Sequence, residues 1–273
     1  MAYKDIVVHL APDARSSARL DAAVELAERH EGKVTGLYVL PRLAMTGYAS
    51  FELSPEVYKR LDTEQRAHAE EADRGFAARM AKSAAPSEWR LMTGEPVDVV
   101  STNAHYADIT IVGQADPDDG YSVGALADSV VLGAGGPVLV WPYAGTFSAN
   151  AATIMVAWNG TREAKRALTD ALPLLKQADN VIVLGIDTGD GKHIPGAEVS
   201  AHLARHGVRT EARHATTSSD IHAGDVLLSE ISDHGAGLLV MGGYGHHRMR
   251  ELLLGGVTRD ILRQMTVPVL MSH

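Results

Sequence analysis

The chain has 273 residues, of which 45% are hydrophobic and 22% charged, and it carries a net charge of −9. That length suits one large domain or two of roughly 130 residues, each able to bury its own core. The acidic balance argues against general nucleic-acid binding, no run of roughly 18 or more apolar residues marks a membrane span, and zero cysteines excludes disulfides and thiolate metal sites.

The opening MAYKDIVVHLAPDAR holds an apolar run of a few residues followed by polar and charged ones, unlike a signal peptide, which points with the missing cysteines to a cytoplasmic protein. Ile6-Val7-Val8 begins a predicted strand, and Ser16 to His30 reads as a helix with Leu20, Ala23, Val24 and Ala27 at helical spacing. Val34 to Leu40 is a second strand. A long, highly charged helix follows from Ser54 to Lys82, with Pro55 in a favourable first-turn position. Trp89 to Met92, Asp108 to Val112 and Pro137 to Trp141 read as strands, separated by helices over Pro96 to His105 and Gly124 to Leu132. Strands alternating with helices imply parallel pairing and right-handed crossovers, hence a doubly wound α/β sheet.

The pattern then restarts. Ile154-Met155-Val156 repeats the first strand, and Thr161 to Lys176 the first helix, with Thr161 as its cap. Strands over Val181 to Ile186 and Val208 to His214 alternate with helices over Ala197 to His206 and Asp225 to Ser232. Ile109 to Gly113 lies 129 positions before Leu238 to Gly242, while Gly124 and Pro137 lie 131 before Gly255 and Pro268. An internal duplication explains this, with domains expected over 1–143 and 151–273.

The closing stretch concentrates the chemistry. Leu238 to Met241 is an apolar run that a parallel sheet would bury on both faces, and Gly242, Gly243 and Gly245 break it at once. Gly255-Gly256 then opens a helix from Val257 to Gln264, followed by Pro268-Val269-Leu270. Glycine allows a ligand close to the main chain, and free N–H groups at a helix start attract phosphate. Taken singly, a glycine pair equally makes a tight strand-to-helix turn.

The pattern G-x-x-G, nine residues, then G and a small residue, resembles the ATP-binding signature of the universal stress protein family; here it is Gly242, Gly245, the nine residues His246 to Leu254, then Gly255-Gly256. The resemblance covers nearly the whole chain as a tandem member. It implies two five-stranded parallel sheets flanked by helices, paired through their last strands, Val138 to Trp141 and Val269 to Met271. It also implies a stress-response sensor or regulator binding ATP or AMP, with or without Mg. By the same resemblance, Asn159, in the stretch Ala157 to Thr161 that ends the first strand of the second copy, stands where the family has an acidic residue facing the nucleoside, and Ala157 is counted with it among the binding positions. Ile186, Met241 and Val257 match adenine-pocket positions, although each also reads as core. His246 beside the anion loop suits phosphate contact. Gly256 stands where the family usually has Ser or Thr, removing one hydroxyl donor.

The copies differ at the anion loop. The second has His246, His247, Arg248 and Arg250 against Glu251, whereas the first has Gln114-Ala115-Asp116-Pro117-Asp118-Asp119. Three carboxylates repel a triphosphate, so the first copy is expected to bind no nucleotide. Charge over the halves agrees, with 13 basic and 21 acidic residues up to Tyr143 against 12 and 13 beyond it. No P-loop or G-x-S-x-G elbow occurs, and His202 and His206, four apart on a helix, lack further metal ligands in the sequence nearby. A module of this fold that has lost nucleotide, and a slow ATPase, stay open as alternatives. So do a homodimer and an unidentified protein partner.

Overall fold

The computed structural model of the protein describes residues 2–42, 55–118, 126–187, 196–216, 222–245 and 256–273. The first half runs β1 (Asp5–Leu10), α1 (Ser16–His30), β2 (Lys33–Pro41), α2 (Pro55–Met80), β3 (Ser87–Gly94), α3 (Pro96–Ala104), β4 (Ile109–Gly113), α4 (Leu126–Gly133) and β5 (Val138–Trp141). The second half runs β6 (Thr153–Trp158), α5 (Arg162–Asp170), α6 (Leu172–Leu175), β7 (Asn180–Asp187), α7 (Gly196–Arg205), β8 (Thr210–Thr216), α8 (Ala223–Asp233), β9 (Leu238–Gly242), α9 (Gly256–Gln264) and β10 (Val269–Ser272).

These strands form one ten-stranded sheet in the order β3-β2-β1-β4-β5-β10-β9-β6-β7-β8. Each half is a parallel five-stranded sheet with the same internal order, as the duplication requires. They join where β5 meets β10 antiparallel, with Leu139 opposite Leu270 and Val140 opposite Val269. The expected pairing of the last strands thus occurs within one chain. It also consumes both of those edges, leaving β3 and β8 as the ends of the sheet. Those ends carry Glu88 and Arg90, and Glu211 and Arg213, in ion pairs along the strand. Charges of this kind discourage edge-to-edge association.

Alternation along the central strands separates two cores. Val8, Ile111, Leu139, Leu270, Val240 and Val156 face a layer made by α1, α2, α5, α6 and α7. Val7, Val112, Val138, Val269, Met271 and Leu239 face α3, α4, α8 and α9. Strands buried on both faces explain why these segments read as near-continuous apolar runs.

One expectation is corrected. The helix predicted as continuous from Thr161 to Lys176 breaks at Ala171 into α5 and α6, because Pro173 sits in the first turn of α6 and cannot donate a helical hydrogen bond. The helix placed over Gly124 to Leu132 is described from Leu126 onward. Among the described residues, no helix is long and apolar enough to cross a membrane.

The junction between halves should dominate stability. Leu139 and Leu270 are both fully buried and directly opposed. Leu270→Ala is expected to cost about 3 kcal/mol, seen as a lower midpoint in urea unfolding of the whole chain.

Candidate functional site

Chain order reverses between β1 and β4 in the first half, and between β6 and β9 in the second. Crevices outside the carboxyl ends of strands at such reversals are where open α/β sheets take ligands.

In the second half, β6 ends at Trp158 and the chain turns through Asn159, Gly160 and Thr161. Gly160 supplies a positive φ of 72°. Asn159 Oδ1 accepts hydrogen bonds from the Thr161 backbone N–H at 3.2 Å and the Thr161 hydroxyl at 2.8 Å. Thr161 Oγ1 in turn accepts from the Ala164 N–H at 3.2 Å and caps α5. Glu163, in the first turn of α5, is 4% exposed. Its carboxylate is bonded by the Arg162 guanidinium, whose head lies in solvent. Burial pushes the Glu163 pKa up, but the Arg162 hydrogen bond, its own backbone N–H, and the charges of Arg162 and His273 outweigh it and hold the group below the usual carboxylate range.

The turn that follows β9 packs onto this helix start. A Cβ at Gly242 would lie 2.5 Å from the Ala164 backbone nitrogen, and one at Gly243 would lie 2.7 Å from a Val131 methyl. At Gly245 it would meet Glu163 Oε2 at 2.8 Å and Thr161 Oγ1 at 3.2 Å. These glycines therefore let the turn approach the protein's own α5 and α4. Tyr244 adopts a left-handed φ of 55°, uncommon for a residue with a side chain. Its N–H donates to Thr258 Oγ1 in α9 at 3.2 Å, and its hydroxyl bonds the Asp128 carboxylate of α4, across the junction. Burial, then that bond and charge, raise the Tyr244 pKa, so the phenol keeps its proton.

The residues named from sequence divide into three groups. Ala157 and Ile186, half-buried, pack against the apolar cluster that contains the buried Met241. Asn159 is exposed with its amide oxygen committed to Thr161, Gly242 and Gly245 line the α5 start, and Val257 is exposed at the start of α9 beside Gly256. His246 and Gly255 lie outside the described residues, as do His247, Arg248 and Arg250. A Cβ at Gly256 would meet nothing closer than Asp260 Oδ2 at 4.0 Å, so that glycine answers no packing demand in the described structure.

The first half fills the equivalent crevice differently. Arg19 is 2% exposed, donates from Nη1 and Nη2 to the two oxygens of Asp13 at 2.9 and 2.6 Å, and from Nε to the His9 carbonyl at 3.1 Å. A Cβ at Gly113 would lie 2.7 Å from Arg19 Nη1. Asp116, expected to repel phosphate, accepts the Asp118 N–H at 3.0 Å, and Asp119 lies outside the described residues. Gln114 reaches across the junction, donating to the Leu262 and Arg263 carbonyls near the end of α9 at 3.0 and 3.1 Å. Between this pair and β5 the cavity bordered by His9, Arg15, Gln114 and Trp141 is about 50 Å³, whereas a second one on the α2 side of the same turn, bordered by Asp13, Ser17, His68 and Phe76, is about 500 Å³. Small-molecule pockets run to several hundred Å³.

Register equates the strands, since Ile6 pairs Ile109 as Ile154 pairs Leu238, while the turn to the next helix is two residues longer in the first half and puts Arg15 at the N-cap position that Thr161 holds in the second. Sequence reading missed Glu163, Arg19 and His9. Arg19 left a signal, because a charge stands on the stripe of α1 that carries Ala23 and Leu26. Glu163 left none beyond its place in a capped first turn, where an acid is ordinary. His202 and His206 stack edge to face, with centroids 4.7 Å apart, and His202 Nε2 lies 3.4 Å from Lys165 Nζ. Desolvation first, then Lys165 and its neighbours, lowers the His202 pKa. Among the described residues, no group of three or more metal-ligating side chains converges.

The model of the universal stress protein family matches residues 151–273. The second half of the chain is therefore similar to the universal stress protein family. A universal stress protein of Synechocystis is 39% identical over 49 residues, a stretch that spans 18% of this chain and 17% of that protein. The structure of a universal stress protein from Archaeoglobus fulgidus DSM 4304 superposes with a TM-score of 0.75 at 14% identity, covering 98% of this chain and 96% of that one. A protein of unknown function from Pseudomonas aeruginosa PAO1 gives 0.61 at 13% identity, covering 99% and 92%. At such identities the two structures establish a shared fold over the length of this chain.

His9 provides a test of the filled crevice. Burial first, then Arg19, lowers its pKa from 6.5 to about 3. The folded state therefore keeps His9 neutral while the unfolded chain protonates it, so stability present above pH 6.5 is lost as pH falls toward 3. His9→Gln lacks this linkage. Urea midpoints at pH 7 and pH 4 should fall further for the parent than for the variant.

Proposed function

We propose that the second half binds an adenine nucleotide at the β6/β9 crevice, as a cytoplasmic stress-response protein, and that the first half, a degenerate copy, binds none. The observation that carries this reading is the Tyr244 N–H bond to Thr258. It ties Tyr244 to Thr258 in the first turn of α9, which supports a reading in which Gly242, Gly245 and Gly256 border one crevice. Apolar Ala157, Ile186 and Met241 would border the adenine, Asn159 would present its amide NH₂ to the ribose, and the N–H groups at the start of α9 would face the phosphates. The first half is assigned no nucleotide because the Arg19–Asp13 pair occupies the crevice, a steric reason that joins the acidic loop.

The donor set fits the nucleoside better than the phosphates. Glu163 places an ionised carboxylate against Gly245, and a phosphate there would meet like charge. The same carboxylate, with the committed Asn159 oxygen, favours a second reading: an interaction module of this fold without nucleotide. Hydrolysis is not assigned, since a carboxylate held below its usual pKa is a weak base for activating water.

Calorimetry on the full chain should give about one adenine-nucleotide site. Two equal sites would sink the assignment of the first half, and silence at millimolar nucleotide would favour the interaction module. Gly256→Ser, which restores a hydroxyl at an unobstructed position, should tighten ATP by roughly twofold to tenfold, about 0.5–1.5 kcal/mol, and AMP less.

A further inference from the structure

In the second half a carboxylate of the protein lies against the glycine turn, where a Cβ at Gly245 would meet Glu163 Oε2 at 2.8 Å. Glu163 is nine-tenths buried, lies in the capped first turn of α5, and turns its carboxylate toward the turn after β9 rather than to solvent. Its distance from the Gly245 main chain is fixed from both sides. Gly242 is pressed against the Ala164 nitrogen, and Thr161, which caps the helix, is locked by Asn159. Among the described residues, nearby cations are committed: Arg162 to Glu163 itself, and Arg166 to the carbonyls of His273 and Gly135 and to Asp170. His273 closes the same region, its Nδ1 lying 3.1 Å from the Gly243 carbonyl.

We propose that Glu163 sets the ligand class of this site: its carboxylate stands beside Gly245 in the position of a phosphate, so the site selects adenosine and discriminates more strongly against each added phosphate. The inference rests on the nucleotide reading and deepens it. A carboxylate at the start of a helix also stabilises that helix, and a residue with only that role would change stability without ranking ligands by charge. Discrimination through charge predicts a graded response. Like charges at close range in a poorly solvated crevice repel more as phosphate is added, while the nucleoside end is untouched by the term.

The test is calorimetry of the full chain with adenosine, AMP and ATP in buffer containing EDTA, so that no divalent cation bridges Glu163 to phosphate. The parent should bind adenosine tightest and ATP weakest. Glu163→Gln keeps the shape and removes the charge; it should tighten ATP at least tenfold, with the gain falling through AMP to adenosine. Glu163→Ala, with folding followed by thermal melting, should reproduce the ranking if the Gln variant is unstable. A parent that binds ATP most tightly, or variants that shift all three ligands by one common factor, would overturn the proposal while leaving the nucleotide site standing. If none of the three binds the parent or either variant, the nucleotide reading itself falls, and the proposal with it.

Discussion

The rest of this structure depends on one strand pair. β5 and β10 are short, apolar and buried on both faces, and each would be an exposed edge if its half stood alone. Their antiparallel union turns two five-stranded sheets into one of ten. Burial of Leu139 against Leu270 on one face and of Val140 against Val269 on the other makes each half the cover of its partner's most vulnerable backbone.

That union also places the two crevices within reach of each other. Gln114 leaves the first crevice to hold the last carbonyls of α9, and Tyr244 leaves the second to bond Asp128 on α4. The contacts are reciprocal: each loop that follows a fourth strand is anchored by the opposite half. A positive φ at Tyr244 is tolerated because tertiary contacts hold both its backbone nitrogen and its hydroxyl. The first half thus acts as a scaffold for the glycine turn, whatever its own crevice holds.

Duplication followed by divergence left opposite solutions to one problem. Both crevices sit at a helix start beyond the strand ends, where polar groups must be satisfied without full access to water. The first half satisfies them with Arg19 bound to Asp13, the second with Glu163 bound to Arg162. Net charge per half did not foretell this. The more acidic half has arginines in its crevice, and the nearly neutral half has a buried carboxylate.

Much of the fold was legible beforehand. Periodicity and repeat spacing determined the strands, all but one of the helices and the doubling, because apolar alternation and the offsets of 129 and 131 residues are properties of the chain itself, while the meeting of the last strands was expected only from the family resemblance. The glycine motif was equally visible, whereas Ala157, Ile186 and Met241 were singled out only through the family resemblance. What sequence alone could not decide was what each glycine is small for. A missing side chain reads the same whether it admits a phosphate or a neighbouring helix, and only the approach of Ala164, Val131 and Glu163 to Gly242, Gly243 and Gly245 tells them apart. The fill of the crevices was hidden for the same reason: Arg19 and Glu163 are ordinary charged residues on helices until the packing of those helices removes them from water and turns them toward a strand end.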